Sequence, residues 1–407
     1  MRFLHTSDWH LGRALHGVDL REHQAAFVDH LVQVVEAEQV DVVLVAGDVY
    51  DRAIPPVEAV SLLSSALARL SEHASVVLTS GNHDSARRLG FGAQVLREGV
   101  HVRTTLDVDR PVLVTGRDGT RAYVYPFPYL EPDEARVALA RRVDAHGTAP
   151  DEGWADDGAV LLDRSHEAVV GAAMDLVRAD VARRREAEPD GFVTVVMAHA
   201  FVVGGEPSES ERPIAVGGVD SVPAGVFTGV DYVALGHLHG PQQVAVPGAV
   251  ARYSGSPLAY SFSERGHRKS SVVVDVVPGA PASTRLVDAP VPRRLSEVRD
   301  ELEAVLSEQY AGQRDDWVRV LLTDAVPPPR YLERVREVFP HALVVLRDPA
   351  SAARQESAYR EVTVASDPVD VAGDFLAHVT GAPPTPAELA VLQETFETLG
   401  REEREGR

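Results

Sequence analysis

Five apolar strands of this sequence each run directly into a polar cluster, and this repeated ending constrains the fold more than any other feature. The strands are predicted at 2–7, 40–47, 75–81, 192–198 and 230–236. Amphipathic helical patterns at 21–39 and 55–73 separate the first three. Near-continuous apolar strands that alternate with helices indicate a sheet covered on both faces. We therefore predict an α/β fold.

The side chains at these endings are carboxylates, imidazoles and one amide. They are Asp8 and His10, then Asp48, then Asn82, His83 and Asp84, then His199, and finally His237 and His239. Ligands of open α/β sheets bind beyond the carboxyl ends of the strands, so we expect these side chains to converge. A single ending has an ordinary explanation as a helix cap or a turn. Five such endings together favour a metal site.

The composition of the cluster indicates two metal ions and hydrolysis at phosphorus. The predicted ligands are Asp8, His10, Asp48, Asn82, His199, His237 and His239. This set exceeds the needs of one tetrahedral ion but suits two cations about 3.5–4 Å apart, bridged by Asp48 from a central strand. Because the chain has no cysteine, its oxygen and nitrogen ligands suit Mn²⁺, Fe²⁺ or Zn²⁺. Such ion pairs activate water for attack on phosphoryl groups.

The third ending also contains the predicted catalytic residues. Asn82 offers its carbonyl oxygen to one ion, and His83 is too close in sequence to ligate comfortably beside it. We therefore expect His83 to contact the substrate and to protonate or stabilise the leaving oxygen. Asp84 is predicted to hold the imidazole of His83 in one tautomer.

The pattern of the chain changes after residue 100 and again near 276–284. A hairpin is predicted at 111–128, with its turn at Asp118–Gly119. Pro, Gly and Ala accumulate at 276–284, which indicates a domain boundary. Beyond it we predict strands at 285–289, 317–322 and 342–347 and helices at 295–307 and 329–339. Together these elements form a compact α/β module.

An irregular stretch at 349–366 and two amphipathic helices complete the chain. The helices are predicted at 368–380 and 386–400. Their apolar stripes are Val371, Phe375 and Val379 in the first, and Leu389, Leu392, Phe396 and Leu399 in the second. The stripes suit either a partner surface or packing back on the chain's own domain, and short isolated helices favour the partner.

Charge and hydropathy limit the class of protein. The net charge of −21 argues against a broad basic surface that wraps nucleic acid, although bound cations or a basic partner can supply local positive charge. Arginine supplies nearly all the positive charge, since Lys269 is the only lysine, and we ascribe this bias to genome composition. The sequence shows neither a membrane-spanning run nor a signal-peptide pattern, so we expect a cytoplasmic protein.

The motifs DWHLG, GDVYDR, GNHDS, AHAFV and GHLH, in this order, resemble those of the calcineurin-like metallophosphoesterases. LHTSDWHLGR, VAGDVYDRAIPP and RYSGSPLAYSF are similar to the bacterial double-strand-break repair nucleases of that superfamily. The resemblance implies a two-sheet sandwich flanked by helices, with a small α/β cap domain and a helical tail. The corresponding domains are 1–277, 285–349 and 366–407.

The resemblance also implies roles for individual residues. Asp8, His10, Asp48 and His239 would hold one Mn²⁺, and Asp48, Asn82, His199 and His237 the other, with His83 as the catalytic histidine. Other divalent cations are compatible with these ligands. Archaeal relatives have a second functional histidine soon after the bridging aspartate. Asp51 and Arg52 occupy that loop here, so this role is not transferred.

The activity implied is that of a manganese-dependent DNA nuclease, a double-strand exonuclease and single-strand endonuclease in DNA repair, recombination and replication. The implied partners are DNA and an SMC-like ATPase whose coiled coil is held by the helical tail, with a homodimer of the chain inside a heterotetramer. Two alternatives remain open. The first is a small-molecule phosphodiesterase, which shares the motifs of the first 275 residues but does not need the α/β module or the helical tail. The second is a non-enzymatic organiser of the ATPase complex, which does not need an intact set of metal ligands.

Overall fold

The computed structural model describes residues 1–96, 98–145, 161–212, 221–324, 326–348, 368–380 and 383–405. The chain divides into two compact units, Met1–Leu295 and Ser296–Arg407. Both units contain strands and helices around an apolar core of their own. The predicted α/β class is therefore confirmed.

A six-stranded sheet in the first unit contains the first three predicted strands. In spatial order its strands are Ser283–Asp288, Ser270–Asp275, Arg2–Thr6, Val42–Ala46, Ser75–Thr79 and Val100–Arg103. The last four are parallel, and Ser270–Asp275 is antiparallel to both of its neighbours. Parallel pairing places the carboxyl ends of the first three predicted strands at one edge of the sheet.

A second six-stranded sheet contains the other two predicted strands. In spatial order its strands are Gln242–Val246, Ala249–Tyr253, Tyr232–Gly236, Val193–His199, Arg121–Pro126 and Val112–Thr115. The middle four are parallel, and the outer two are antiparallel to their neighbours. The predicted hairpin is confirmed, and Gly119 in its turn has a φ of +80°.

The two sheets pack face to face, and helices cover their outer faces. Phe3 and Leu44 of the first sheet share a buried core with Val124 and Val195 of the second. The helices Arg21–Ala37 and Val57–Leu70 pack on the first sheet, and Pro132–Ala145 and His166–Ala187 on the second. The sandwich that the resemblance implies is confirmed.

Shorter elements complete the described part of the first unit. They are the helix Ala86–Leu89, the 3-10 helices Ala93–Val95, Ala224–Phe227 and Phe262–Gly266, and the strand pairs Ala14–Leu15 with Val18–Asp19 and Phe201–Val202 with Ser221–Val222. Ser165 caps the longest helix of this unit, since its hydroxyl oxygen accepts the N–H of Ala168 at 3.2 Å.

The second unit begins differently from the prediction. Its three-stranded sheet has the order Leu295–Asp300, Trp317–Leu322, Ala342–Arg347, and its helices are Leu302–Val305, Tyr331–Val338 and the 3-10 helix Glu308–Gln313. The predicted helix at 295–307 is wrong, because its first half is a strand. Val298, Leu302 and Val305 have helical spacing, yet they reach one core from a strand followed by a single helical turn.

The strand predicted at 285–289 is found at Ser283–Asp288, but it extends the first sheet. Its alternating side chains explain the placement. Leu286 packs against the core between the two sheets, and Val287 packs against the core beneath the helices. A strand with one apolar side chain for each face fits the edge of the sandwich.

The described tail consists of the helices Pro368–Thr380 and Pro386–Glu405, which contact each other. The second begins with a capping box: the Glu388 carboxylate accepts the N–H of Thr385 at 2.7 Å, and the Thr385 hydroxyl oxygen accepts the N–H of Glu388 at 3.4 Å. Residues 349–366 and the side chains of Val379 and Leu399 lie outside the described part. Among the described helices, none has the length and apolarity needed to cross a membrane.

Candidate metal centre

Side chains from the ends of five strands meet at one buried point of the first unit. Ligand atoms within 4.8 Å of one another form three groups: Asp8, His10 and His239; His10, Asp48 and His83; and Asp8, Asp48 and His199. Asn82 and His237 lie beside them, since Asn82 Oδ1 is 2.9 Å from His199 Nε2 and the His237 and His199 ring centroids are 5.4 Å apart. The structure thus brings together all seven residues predicted as ligands, together with His83.

Four of these residues have a left-handed backbone conformation that residues other than glycine rarely adopt. The φ angles of Asp8, His10, Asp48 and His237 are 54°, 44°, 48° and 105°. Each such residue costs about 1–3 kcal/mol and persists only where neighbours hold it. Two backbone hydrogen bonds supply this support: Asp8 N–H donates to Gly47 O at 3.1 Å, and His10 N–H donates to Asp48 O at 3.0 Å. The strand ends are therefore strained and hold one another in place.

Glycine precedes several of the polar endings because there is no room for a side chain. A Cβ atom added to Gly81 would lie 2.1 Å from Asp48 Oδ1, and one added to Gly236 would lie 1.8 Å from Ala46 O. These glycines let neighbouring strands approach closely enough for the ligands to converge.

Asp48 lies at the middle of the cluster. Its Oδ2 is 3.5 Å from His199 Nε2 and 3.6 Å from His10 Nε2. Its Oδ1 accepts the backbone N–H of His83 at 2.9 Å. One carboxylate oxygen thus faces imidazoles from both sheets.

The electrostatics of the cluster favour bound cations. Burial alone would raise the pKa of Asp48, but the surrounding imidazoles, His199 first, hold it well below its usual value. Burial alone would lower the pKa of His199, but the Asp48 carboxylate raises it to about 9. The carboxylate thus attracts positive charge to His199 Nε2, where a cation would replace a proton.

The nitrogen atoms of the cluster also fit a metal. His10 Nε2 and His239 Nε2 lie only 3.1 Å apart, and burial lowers the pKa of His10 well below its usual value. Two ring nitrogens this close converge on the same space, as two ligands of one cation do. Among the described residues, His10 Nδ1 and Asn82 Nδ2 are buried polar atoms without a hydrogen-bond partner. This donor set suits divalent cations that prefer oxygen and nitrogen.

His83 is held by a different group from the one predicted. Its Nδ1 lies 2.7 Å from the carbonyl oxygen of Asp51. Because a carbonyl oxygen only accepts, Nδ1 bears a proton and Nε2 is left for other partners. The Nε2 atom lies 3.9 Å from Asp48 Oδ2, so the ring faces the cluster.

The predicted role of Asp84 as the partner of the His83 imidazole is therefore wrong. Its carboxylate accepts backbone N–H groups from Val49 at 3.0 Å, Tyr50 at 2.8 Å and Gly81 at 2.9 Å. These bonds join the loops after the second and third strands, which contain Asp48 and Asn82. Asp84 thus holds the two loops in position. Its short side chain faces three backbone N–H donors and not the imidazole of His83.

Several residues to which sequence reasoning gave no role surround the ligands. The Asp51 carboxylate lies 3.9 Å from His10 Nδ1 and 3.6 Å from Arg13 Nε. Ser210 and Glu264 are both within hydrogen-bonding distance of His239 Nδ1. Ser210 and Glu264 lie far from the strand endings in sequence, and only the fold brings them to the cluster.

Comparison with known proteins agrees with this geometry. A family model described as calcineurin-like phosphoesterase matches residues 1–241, more than half of the chain. A second, described as Type 5 capsule protein repressor C-terminal domain, matches residues 291–380. The chain is similar to the D subunit of nuclease SbcCD from Bacillus subtilis (strain 168), with 35% identity over 288 residues that cover 70% of this chain and 68% of that protein.

Solved structures show more distant likenesses. GAP50, the anchor in the inner membrane complex of Plasmodium, has a TM-score of 0.39 and 9% identity, covering 71% of this chain and 84% of that chain. TT1561 of Thermus thermophilus has a TM-score of 0.33 and 12% identity, covering 63% of this chain and 89% of that chain. Membership of the phosphoesterase family therefore rests on the family model that matches residues 1–241 and on the Bacillus relative.

Proposed function

Since the chain belongs to the calcineurin-like phosphoesterase family, and within it to the family of the D subunit of nuclease SbcCD, we propose that it is a metal-dependent DNA nuclease. It acts as a double-strand exonuclease and single-strand endonuclease in DNA end processing, repair and recombination. The observation that carries the proposal is the convergence of oxygen and nitrogen ligands from five strands around the buried Asp48 carboxylate.

The ligands divide between two manganese ions in this proposal. Asp8, His10, Asp48 and His239 hold one ion, and Asp48, Asn82, His199 and His237 hold the other. The close group of Asp8, His10 and His239 supports the first set, and the group of Asp8, Asp48 and His199 fits a position of Asp48 in both sets. Bound divalent cations lower the pKa of a water molecule and neutralise charge on phosphoryl oxygens.

His83 acts on the substrate in this proposal. Its Nδ1 is engaged by the Asp51 carbonyl, which orients Nε2 for a proton transfer. Burial lowers the pKa of His83, although Asp48 opposes this change. A phosphate bound beside the ring would favour its charged form, which then protonates or stabilises the leaving oxygen.

DNA is a better substrate for this chain than a small phosphodiester. Small-molecule phosphodiesterases of the same superfamily do not need a second unit. This chain has one, and a separate family model matches it at residues 291–380. Residues 1–277 carry the chemistry in this proposal. The cap domain predicted at 285–349 begins after the strand Ser283–Asp288, because that strand belongs to the first sheet. The net charge of −21 means that bound cations and a partner supply the positive charge that DNA requires.

That partner is an SMC-like ATPase of the SbcC type, and the tail at 366–407 is its docking element. Phe375 is 66% exposed and Leu389 is 39% exposed, although both belong to the predicted apolar stripes. The two tail helices contact each other and still present these side chains to solvent. An apolar helix face of this kind suits a facing helix of a coiled coil.

The chain forms a homodimer within a heterotetramer in this proposal. Ile54, Val57, Phe91 and Val95 are each between 67% and 91% exposed. The two segments that contain them are joined by a hydrogen bond from the Arg88 guanidinium to the Ala53 carbonyl at 3.0 Å. Exposed apolar side chains on two joined segments suit an interface between proteins.

Purified chain should cleave linear duplex DNA and short single-stranded DNA with Mn²⁺ and lose both activities in EDTA, because its ligands need a divalent cation. Gel assays with and without the ATPase measure this, beside a bis-phosphodiester dye as the small-molecule control. Full DNA cleavage in EDTA would refute the two-metal assignment, and cleavage of the dye without any DNA cleavage would favour the alternative phosphodiesterase.

His83→Ala should keep both ions and lose turnover by roughly 10²–10⁴-fold, the usual contribution of a general acid or base. Asp48→Ala should lose bound metal, because it removes the proposed bridge. Elemental analysis of both variants beside the wild-type protein measures metal content. Equal loss of metal in the two variants would contradict this division of roles.

Deletion of residues 366–407 should leave manganese-dependent cleavage of single-stranded DNA intact and abolish stable association with the ATPase. Phe375→Ser in the full chain should also weaken the association with the ATPase. Leu113→Ser should leave it unchanged, because it alters an exposed apolar side chain outside the tail. Co-purification measures this. A chain ending at residue 365 that still co-purifies at full strength would make the cap domain the candidate docking surface.

Phe91→Ser with Val95→Ser should convert a dimer of the isolated chain into a monomer. Both side chains are at least 85% exposed in the single chain, so the free energy of unfolding of the monomer should change little. Sedimentation velocity at micromolar concentration measures the mass, with Leu113→Ser as the control. The proposed surface is wrong if the wild-type chain is monomeric or if the double variant remains a dimer.

A further inference from the structure

The single lysine of this chain is buried beside the metal centre. The sequence has 40 lysine and arginine residues, of which only Lys269 is a lysine. Lys269 is 4% exposed, and Glu264, with which it forms an ion pair, is 1% exposed. A buried ion pair rarely adds net stability, because the desolvation of both charges offsets their attraction. The pair therefore suggests a purpose other than stability.

The three donors of the Lys269 ammonium each have an acceptor. Nζ donates to Glu264 Oε2, to the Ser256 hydroxyl oxygen at 2.9 Å and to the carbonyl oxygen of His239 at 3.1 Å. A tetrahedral ammonium satisfies this arrangement, whereas the planar guanidinium of arginine is larger and directs its donors differently. The geometry explains why lysine is kept here in a chain that otherwise uses arginine.

The other oxygen of Glu264 is directed at a predicted metal ligand. Oε1 lies 3.2 Å from His239 Nδ1 and accepts the backbone N–H of Tyr260 at 3.1 Å. It also accepts the Ser210 hydroxyl, whose oxygen lies 2.8 Å from His239 Nδ1, so Glu264 holds the imidazole both directly and through Ser210. A carboxylate that accepts from Nδ1–H leaves Nε2 as the atom available to a metal. His239 Nε2 is the atom that faces His10.

We propose that Glu264 and Lys269 are positioning residues for His239, and that together they set the affinity of the ion held by Asp8, His10, Asp48 and His239. Lys269 fixes both the Glu264 carboxylate and the His239 backbone, and Glu264 fixes the tautomer and orientation of the imidazole. The other ion does not depend on this pair, because His199 Nδ1 is engaged by the Ala46 carbonyl at 3.0 Å. This inference rests on the proposed two-metal function.

The test is a calorimetric titration of metal-free, full-length chain with Mn²⁺. Wild-type chain should bind two ions. Glu264→Gln and Lys269→Arg should each bind one ion normally and the other about 10–100-fold more weakly, the usual effect of removing an outer partner of a metal-binding histidine. The double variant Glu264→Gln with Lys269→Met removes both buried charges and should show the same selective loss even if a single variant folds poorly.

Asp180→Asn is the matched control, because Asp180 is also a buried, ion-paired carboxylate, bound by Arg183 and Arg184. It should lower the free energy of unfolding in EDTA without changing either Mn²⁺ affinity. Wild-type affinity for both ions in Glu264→Gln and in the double variant would overturn the inference, as would an equal loss of metal in Asp180→Asn. Fewer than two ions on wild-type chain would overturn the proposed two-metal function and this inference with it.

Discussion

The burial of two carboxylates at one point is the constraint on which the rest of the first unit depends. Asp8 and Asp48 are almost fully buried, and imidazoles surround them on strands from both sheets. Burying charge is costly unless opposite charge or hydrogen bonds are supplied. The strained backbone at four strand ends, the glycines without room for a side chain and the bonds between loops all hold these side chains at one point.

Much of the fold and the identity of the cluster were predictable from sequence. Strand endings are local features, and parallel pairing brings Asp8 and Asp48 to one edge of the first sheet whatever the loops do. His199 ends a strand of the second sheet, and the face-to-face packing of the two sheets brings it to the same point. The partner of His83 could not be predicted, because a backbone carbonyl such as that of Asp51 has no signal in residue type. Asp84 was misassigned for the same reason, since its partners are backbone N–H groups whose positions depend on loop conformation.

The second unit illustrates a different limit. Val298, Leu302 and Val305 have the spacing of a helix, and local periodicity alone favours that choice. The strand Leu295–Asp300 is the third strand of this sheet, a position that a helix cannot fill. Its pairing with the neighbouring strand outweighs the local helical periodicity. Likewise, the strand Ser283–Asp288 joins the first sheet because each of its faces meets an existing core. Competition between elements for a sheet edge is a property of the whole fold.

The buried lysine has a consequence for the chemistry of the protein surface. With Lys269 enclosed, the folded chain presents its positive charge as guanidinium groups, and the terminal amine of Met1 is engaged by Asp118 and the Val276 carbonyl. Lysine acetylation, conjugation of a protein tag through an isopeptide bond to lysine and cross-linking at lysine all require an accessible side-chain amine. The native protein offers them none, so the appearance of lysine reactivity would signal that the interior around the metal centre has opened.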